Sequence, residues 1–223
     1  MPLVVCDASS LISLSESCNI GVLAFLKEKL GFNFVIPPSV KDEIISHPLH
    51  VKSFSFSAVR LRKALDAGVL TVISSPTLVQ ETKTIMNESN SLFFSHHKPL
   101  KIIHDGEAQC MGLFSSVSAK LFLVDEKTTR MLLEDPFKLE SVMRSEHDDL
   151  KVEEKKFDFF KKMGSRVKII RSTELMALAF EKGFFDDYKE NKVFALHSAL
   201  YSLRKSGCSI SSLELDQYES IYA

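Results

Sequence analysis

The chain has no excess of charge of either sign. Its 28 Lys and Arg stand against 29 Asp and Glu, a formal net charge of −1. That excludes a whole-molecule field for polyanions, so any nucleic-acid partner has to be held by local basic patches. No apolar run approaches the ~20 residues of a membrane-crossing helix, and no membrane contact is expected. No basic region precedes the short apolar stretch at the N-terminus, which argues against a secretory signal and for a cytoplasmic protein. The four cysteines, Cys6, Cys18, Cys110 and Cys208, are scattered and form no CxxC pair. They read as reduced thiols of a reducing compartment, where the Asn87-Glu88-Ser89 sequon has no meaning. His96, His97 and His104 match no zinc spacing and read as solvated loop residues. There is no internal repeat and no low-complexity tract.

What is present is ordinary globular composition, 223 residues with 45% hydrophobic and 26% charged. Short runs, apolar at nearly every position, recur at Leu3–Cys6, Phe32–Ile36, Val69–Ile73, Leu121–Val124 and Val167–Ile170. Parallel strands covered on both faces have this pattern. Helical spacing fills much of the intervening chain: 11–30, broken near 19–21; a helix opening at Pro38 or Ser39; 57–67, stopped by Gly68; 105–116; and 172–182, with Ser172 as its cap. Alternating strand and helix predicts a layered α/β fold with right-handed crossovers. Residues 135–166 interrupt the rhythm with many charges and no strand candidate. They read as an insertion, part loop and part amphipathic helix around 152–163. Long helical patterns at 187–206 and 212–221 form a C-terminal extension. The expected division is an α/β domain over 1–182, with its insertion at about 135–166, and helices over 183–223 packed on it.

In open α/β sheets ligands bind at the carboxyl ends of the strands. Asp7 follows the first strand directly, and Asp125 follows "LFLV" in the same way. In "PPSVKDEII", Val40, Glu43 and Ile44 share a helical face, which points Glu43 toward the sheet. In "HDGEAQCMGLF", Glu107 shares a face with Cys110, Met111 and Phe114 in the first turn of its helix, where Asp105 either caps or joins it. Singly, each acid is explained as a turn or helix-cap residue. Four carboxylates meeting at one sheet edge would repel unless protonated or neutralised. No Lys or Arg occupies an apolar position where it could neutralise all four. Hard oxygen ligands suit Mg²⁺ or Mn²⁺, ions that activate water against a phosphodiester.

These segments resemble PIN-domain ribonucleases. "VVCDASSLISL" is similar to that family's first strand and Asp-x-Ser motif, and "FVIPPSVKDEI" to the second strand and the helix bearing the second acid. "DGEAQCMGL" resembles a Gly-Glu-Ala variant of the third motif, and "LFLVDEKTTR" the fourth. The subgroup related to VapC-type toxins is the most similar. The resemblance covers about 1–134 and resumes at 167–182. It implies a three-layer α/β/α fold with a four- or five-stranded parallel sheet in the order 3-2-1-4-5. It also implies metal-dependent hydrolysis of RNA, with Asp7, Glu43, Glu107 and Asp125 as catalytic metal ligands for Mg²⁺ or Mn²⁺. Asp105 and Glu126 stand next to that set. Ser9 is placed to bond a carboxylate or to cap a helix, and Arg130, one turn past Asp125, to meet a phosphate or to lie on the surface. The length of the chain, the insertion and Glu126 in place of a second aspartate depart from the toxin pattern.

The insertion carries Lys155, Lys156, Lys161, Lys162 and Arg166 among phenylalanines, an arrangement for RNA phosphates and bases or for an amphipathic helix with buried rings. RNA is the expected partner; an antitoxin-like or other protein partner and a homodimer stay open. The rival to a nuclease is a non-catalytic scaffold or RNA-binding member of the same fold. A phosphoacceptor domain would want a lysine after the last strand, where Arg171 stands. A haloacid-dehalogenase-like phosphatase would want Asp-x-Asp, where the chain has Asp7-Ala8-Ser9.

Overall fold

The computed structural model describes residues 2–222. Eight strands occur in chain order: β1 (Leu3–Cys6), β2 (Asn33–Ile36), β3 (Leu70–Val72), β4 (Phe93–Ser95), β5 (Lys98–Pro99), β6 (Leu121–Leu123), β7 (Lys151–Val152) and β8 (Lys168–Ile170). Five form one parallel sheet in the order β3-β2-β1-β6-β8. This is the predicted 3-2-1-4-5 arrangement, and helices flank it as a three-layer α/β/α fold. Central β1 sets Val5 opposite Val35 of β2 and Phe122 of β6. All three are buried, as a strand covered on both faces requires. The chain runs outward to β2 and β3 on one side of β1, then returns to β6 and β8 on the other. The strand order therefore reverses between β1 and β6.

The N-terminal helical pattern divides as expected, into Ala8–Glu16 and Gly21–Leu30. The helix Pro38–Lys41 does not continue as an α-helix. It widens into a π-helical turn over Asp42–Ser46. Two helices without a strong sequence signal, Leu78–Ser89 and Lys127–Glu134, complete the layers. At the helix after β8, Arg171 and not Ser172 is the N-cap.

The insertion differs from the expectation of loop plus one helix. It holds the helix Pro136–Glu146, then β7, then the helix Phe157–Gly164. Strand β7 joins the β4–β5 hairpin in a second, antiparallel sheet, order β5-β4-β7. His96 and His97 are the two-residue loop of that hairpin, with φ of 50° and 61°. A tight two-residue hairpin turn needs such left-handed backbone. Residues of two or three per strand give too short a pattern to read, which is why these strands escape sequence analysis.

Helix Phe157–Gly164 docks on Lys127–Glu134 through Gly164, where a Cβ would lie 2.0 Å from the Leu133 carbonyl oxygen. The expected long helix at 187–206 is broken at Lys189, whose backbone has φ 51°, and resumes as Lys192–Lys205. Its Leu196, Leu200 and Leu203 enter the same core as β1. A buried Arg171 fastens the last helix, Ser212–Ile221, by donating to Glu214 Oε1 at 2.8 Å and to the Ser209 carbonyl at 3.1 Å. Among the described residues, no single helix is long and apolar enough to cross a membrane.

Gly164→Ala should destabilise the protein by about 3 kcal/mol, because the new methyl meets backbone that cannot yield without separating two helices. Urea unfolding of both proteins measures it; a change below about 0.5 kcal/mol would show that this contact is not tight.

Candidate metal and active site

Asp7 leaves β1 and becomes the N-cap of Ala8–Glu16, its Oδ2 accepting from the Ser9 amide at 3.0 Å and the Ser9 hydroxyl at 2.6 Å. The same hydroxyl accepts from the Asp125 amide at 3.1 Å and the Glu126 amide at 3.2 Å. Of the two roles open to it, Ser9 thus bonds the carboxylate, while Asp7 does the capping. The Asp7 amide donates to the Leu123 carbonyl at 2.9 Å, which stitches the β1 and β6 ends together.

Asp7 is only 3% exposed. Burial raises its carboxyl to about 7, the Ser9 hydrogen bonds oppose the rise, and the charges of Glu107 and Glu43 add to it. Its Oδ1 has one near polar neighbour, the Cys110 thiol at 3.9 Å, and that thiol is itself held well above the ordinary range by burial and by Asp7.

Glu43 stands on the π-helical turn. Val40, Ile44 and Ile45 are buried, whereas Glu43 is exposed. The side chain reaches over the start of helix Asp105–Ser116, where its Oε2 is 2.8 Å from where a Cβ on Gly106 would sit, and its charge acts on Asp7 at the end of β1. Glycine at 106 admits that approach. Partial desolvation and Glu107 raise the Glu43 carboxyl, and His104 lowers it.

Glu107 completes the trio. Its Oε2 accepts from the His104 amide at 2.8 Å in a capping box, which leaves Oε1 without a hydrogen bond. Asp105 is exposed and does not join the trio; its Oδ2 accepts from the Gln109 side chain at 2.8 Å. The Gln109 Oε1 in turn accepts from the Ser39 amide at 3.3 Å, which ties the two acid-bearing helices together.

Asp125 is fully buried and turned toward the far side of β6. Its Oδ1 accepts from the Ser172 amide and its Oδ2 from the Ser172 hydroxyl, both at 2.7 Å. Cys208 packs beside this pair, its thiol raised to about 12 by burial and by Asp125. Glu126 caps helix Lys127–Glu134 through the amides of Thr128 and Thr129, so its carboxylate is occupied too. The structure therefore brings Asp7, Glu43 and Glu107 within one another's fields and gives Asp125 a separate partner. Among the described residues, no group of three or more His, Cys, Asp or Glu is arranged to hold a metal ion. None of the four acids has a Lys or Arg ion-pair partner there either.

Sequence reasoning missed Ser172 as the partner of Asp125. The available signal was that Ser172 follows β8 much as Ser9 follows β1. The predicted basic residues lie elsewhere. Arg166 shares a hollow with Ser118 and Lys120, at the amino end of β6, so it sits at the sheet edge opposite Asp7. Lys161 lies 4.1 Å over the Phe137 ring, and Lys156 pairs with Glu88 at 3.4 Å. Lys155 and Lys162 are exposed, while Phe157 and Phe160 are buried in the core. The helix Phe157–Gly164 is thus amphipathic, with Phe157 and Phe160 inside and Lys161 and Lys162 outside. Arg130 reaches the Ser209 carbonyl at 3.4 Å, and its Nε is buried without a partner. It lines a cleft of about 720 Å³ beside Asp125 together with Lys127, Lys138 and Arg204. Comparison of the chain with protein-family models, curated proteins and solved structures finds no match.

Two outcomes follow from this geometry. An acid whose folded value lies near 7 and whose unfolded value lies near 3.8 binds more protons folded than unfolded between those limits. The contribution of Asp7 to stability is therefore full below about pH 4 and is lost as pH rises to 7, by on the order of 4 kcal/mol. Glu43 adds a change of the same sign. Asp7→Asn should flatten this slope and raise stability at pH 8, read from unfolding midpoints at pH 5 and pH 8; equal slopes in both proteins would refute the assignment. Ser9→Ala should cost about 2 to 3 kcal/mol, since two part-buried amides and the Asp7 carboxyl lose one shared partner. Guanidinium unfolding at pH 5, where Asp7 is neutral, isolates that loss.

Proposed function

We propose that the protein is a metal-dependent ribonuclease of PIN-like type, hydrolysing RNA phosphodiesters at the carboxyl edge of its sheet. The observation that carries this reading is a trio of carboxylates without a Lys or Arg counter-ion among the described residues, at the point where the strand order reverses. Ligands of open α/β sheets gather at such a point. Repulsion and burial hold protons on carboxyls there, and a divalent cation relieves both.

The side chains fit such an ion in part. Asp7 Oδ1, the Glu43 carboxylate and Glu107 Oε1 accept no hydrogen bond from nitrogen or hydroxyl and would hold it; Asp125 would first have to share the oxygens given to Ser172. Bound Mg²⁺ or Mn²⁺ supplies an activated water and stabilises charge on the phosphoryl oxygens. The chain's own part is positional. Ser9 fixes the Asp7 rotamer, the Glu107 capping box fixes its carboxylate, and Gln109 spaces the helices of Glu43 and Glu107. The cleft beside Asp125 brings Lys127, Arg130, Lys138 and Arg204 together for RNA phosphates, with Glu134, Asp135 and Glu214 also in its lining.

One observation favours the second reading, a non-catalytic RNA-binding protein. Both Asp125 oxygens and the Glu126 carboxylate are already consumed by the protein. Incubation of the full chain with labelled single-stranded RNA, in Mn²⁺ or in chelator, separates the two. The nuclease reading expects Mn²⁺-dependent cleavage that falls at least 100-fold in Asp7→Asn with the fold retained. RNA binding without cleavage favours the second reading. Cleavage unchanged in Asp7→Asn removes the trio from the chemistry.

A further inference from the structure

The helix Lys192–Lys205 buries Leu196, Leu200 and Leu203 and turns its opposite face outward. On that face Phe194 is 71% exposed and Tyr201 is 52% exposed. Ser198 between them and Lys205 beyond them are exposed as well. The steps from Phe194 to Ser198, Tyr201 and Lys205 are four, three and four residues, the spacing of a stripe that meets another helix. A single exposed ring is ordinary, whereas two on one stripe, bounded by charges of opposite sign, form a surface.

The charges are Glu190, which precedes the N-cap Asn191, and Lys205, the last residue of the helix. Both are exposed, and neither has an ion-pair partner within 4.0 Å among the described residues. The other charges at the two ends are engaged: Lys192 pairs with Asp186 at 3.3 Å, and Arg204 donates to the Ser212 hydroxyl at 2.9 Å. Glu190 and Lys205 cannot meet within one chain, because a helix of ~21 Å separates them. Their positions are nevertheless matched. Phe194 and Tyr201 lie equally far on either side of the midpoint between His197 and Ser198, and so do Glu190 and Lys205. A two-fold axis through that midpoint sets Phe194 against Tyr201 of a second copy and Glu190 against its Lys205, with each contact made twice. The helices then run antiparallel, which also aligns their macrodipoles favourably. A parallel pair would set Glu190 on Glu190 and Lys205 on Lys205.

We infer that two copies of this chain associate through the helix Lys192–Lys205, antiparallel about a two-fold axis, with Phe194 and Tyr201 at the centre and Glu190–Lys205 ion pairs at both ends. The occupant is a second copy because the apolar and the charged positions are complementary to the same stripe reversed. A helix pair of this length buries less than a standard interface, so the association is expected at micromolar concentration. None of these residues belongs to the acid trio, and the inference does not rest on the ribonuclease reading.

Sedimentation velocity of the full chain across about 2 to 200 µM tests it, with a shift from monomer to dimer expected over that range. Phe194→Glu with Tyr201→Glu, both at exposed positions, should leave a monomer at every concentration with unchanged far-UV circular dichroism. Glu190→Lys alone and Lys205→Glu alone should each weaken association about tenfold, since two attractive contacts become repulsive. The two charge reversals combined should restore association to within about threefold of the original, which only an antiparallel contact between copies produces. A monomer throughout, as a surface for a different protein would give, overturns the inference. So does a dimer that survives Phe194→Glu with Tyr201→Glu, or a combined charge reversal that recovers nothing.

Discussion

The hydroxyl of Ser9 has one proton to give and two lone pairs to offer, and the fold uses all three. The proton goes to the Asp7 carboxylate, and the lone pairs receive the amides of Asp125 and Glu126. One atom thereby fixes the side chain that ends β1 and the backbone that ends β6. Those strands are the neighbours between which the sheet reverses its order. The position of the carboxyl edge, the aim of Asp7 and the start of helix Lys127–Glu134 all follow from that junction.

Around it the charges divide by sheet edge. At the carboxyl edge stand Asp7, Glu43 and Glu107, with the Asp7 and Glu43 carboxyls raised by burial and by the charge of Glu107. At the amino edge stand Lys120, Lys162 and Arg166. The near-zero net charge of the chain conceals this separation, because the two groups cancel in any sum over the sequence. The insertion adds Arg166 and Lys162 to the amino edge and Lys138 to the cleft beside Asp125. Its Phe157 and Phe160 are spent on packing.

Much of the fold was legible because parallel strands buried on both faces leave a signal in each run separately. Five such runs, and the helices between most of them, stand close to where the pattern sets them. The short strands β4, β5 and β7 were not legible, because two or three residues are too few to set a pattern, and β7 becomes a strand only by pairing with β4 over fifty residues earlier. The break at Lys189 was hidden for a related reason: a single left-handed residue has no periodicity. In the candidate site, the positions of Asp7, Glu107 and Asp125 at strand and helix ends could be read directly, whereas the direction in which each carboxylate points could not.

The sequence by itself determined the layered α/β architecture and the placing of acids at the carboxyl ends of its strands, since hydrophobic periodicity and strand-end position are local properties of the chain; the strand order was an expectation from the resemblance alone. Only the tertiary structure decided that Asp125 is given to Ser172, that Glu43 on its π-helical turn lies over Gly106, and that Glu81 Oε2 is left without a hydrogen-bond partner. Those outcomes depend on which distant atoms meet, and hydrogen-bond partnership is settled by packing in three dimensions, not by spacing along the chain.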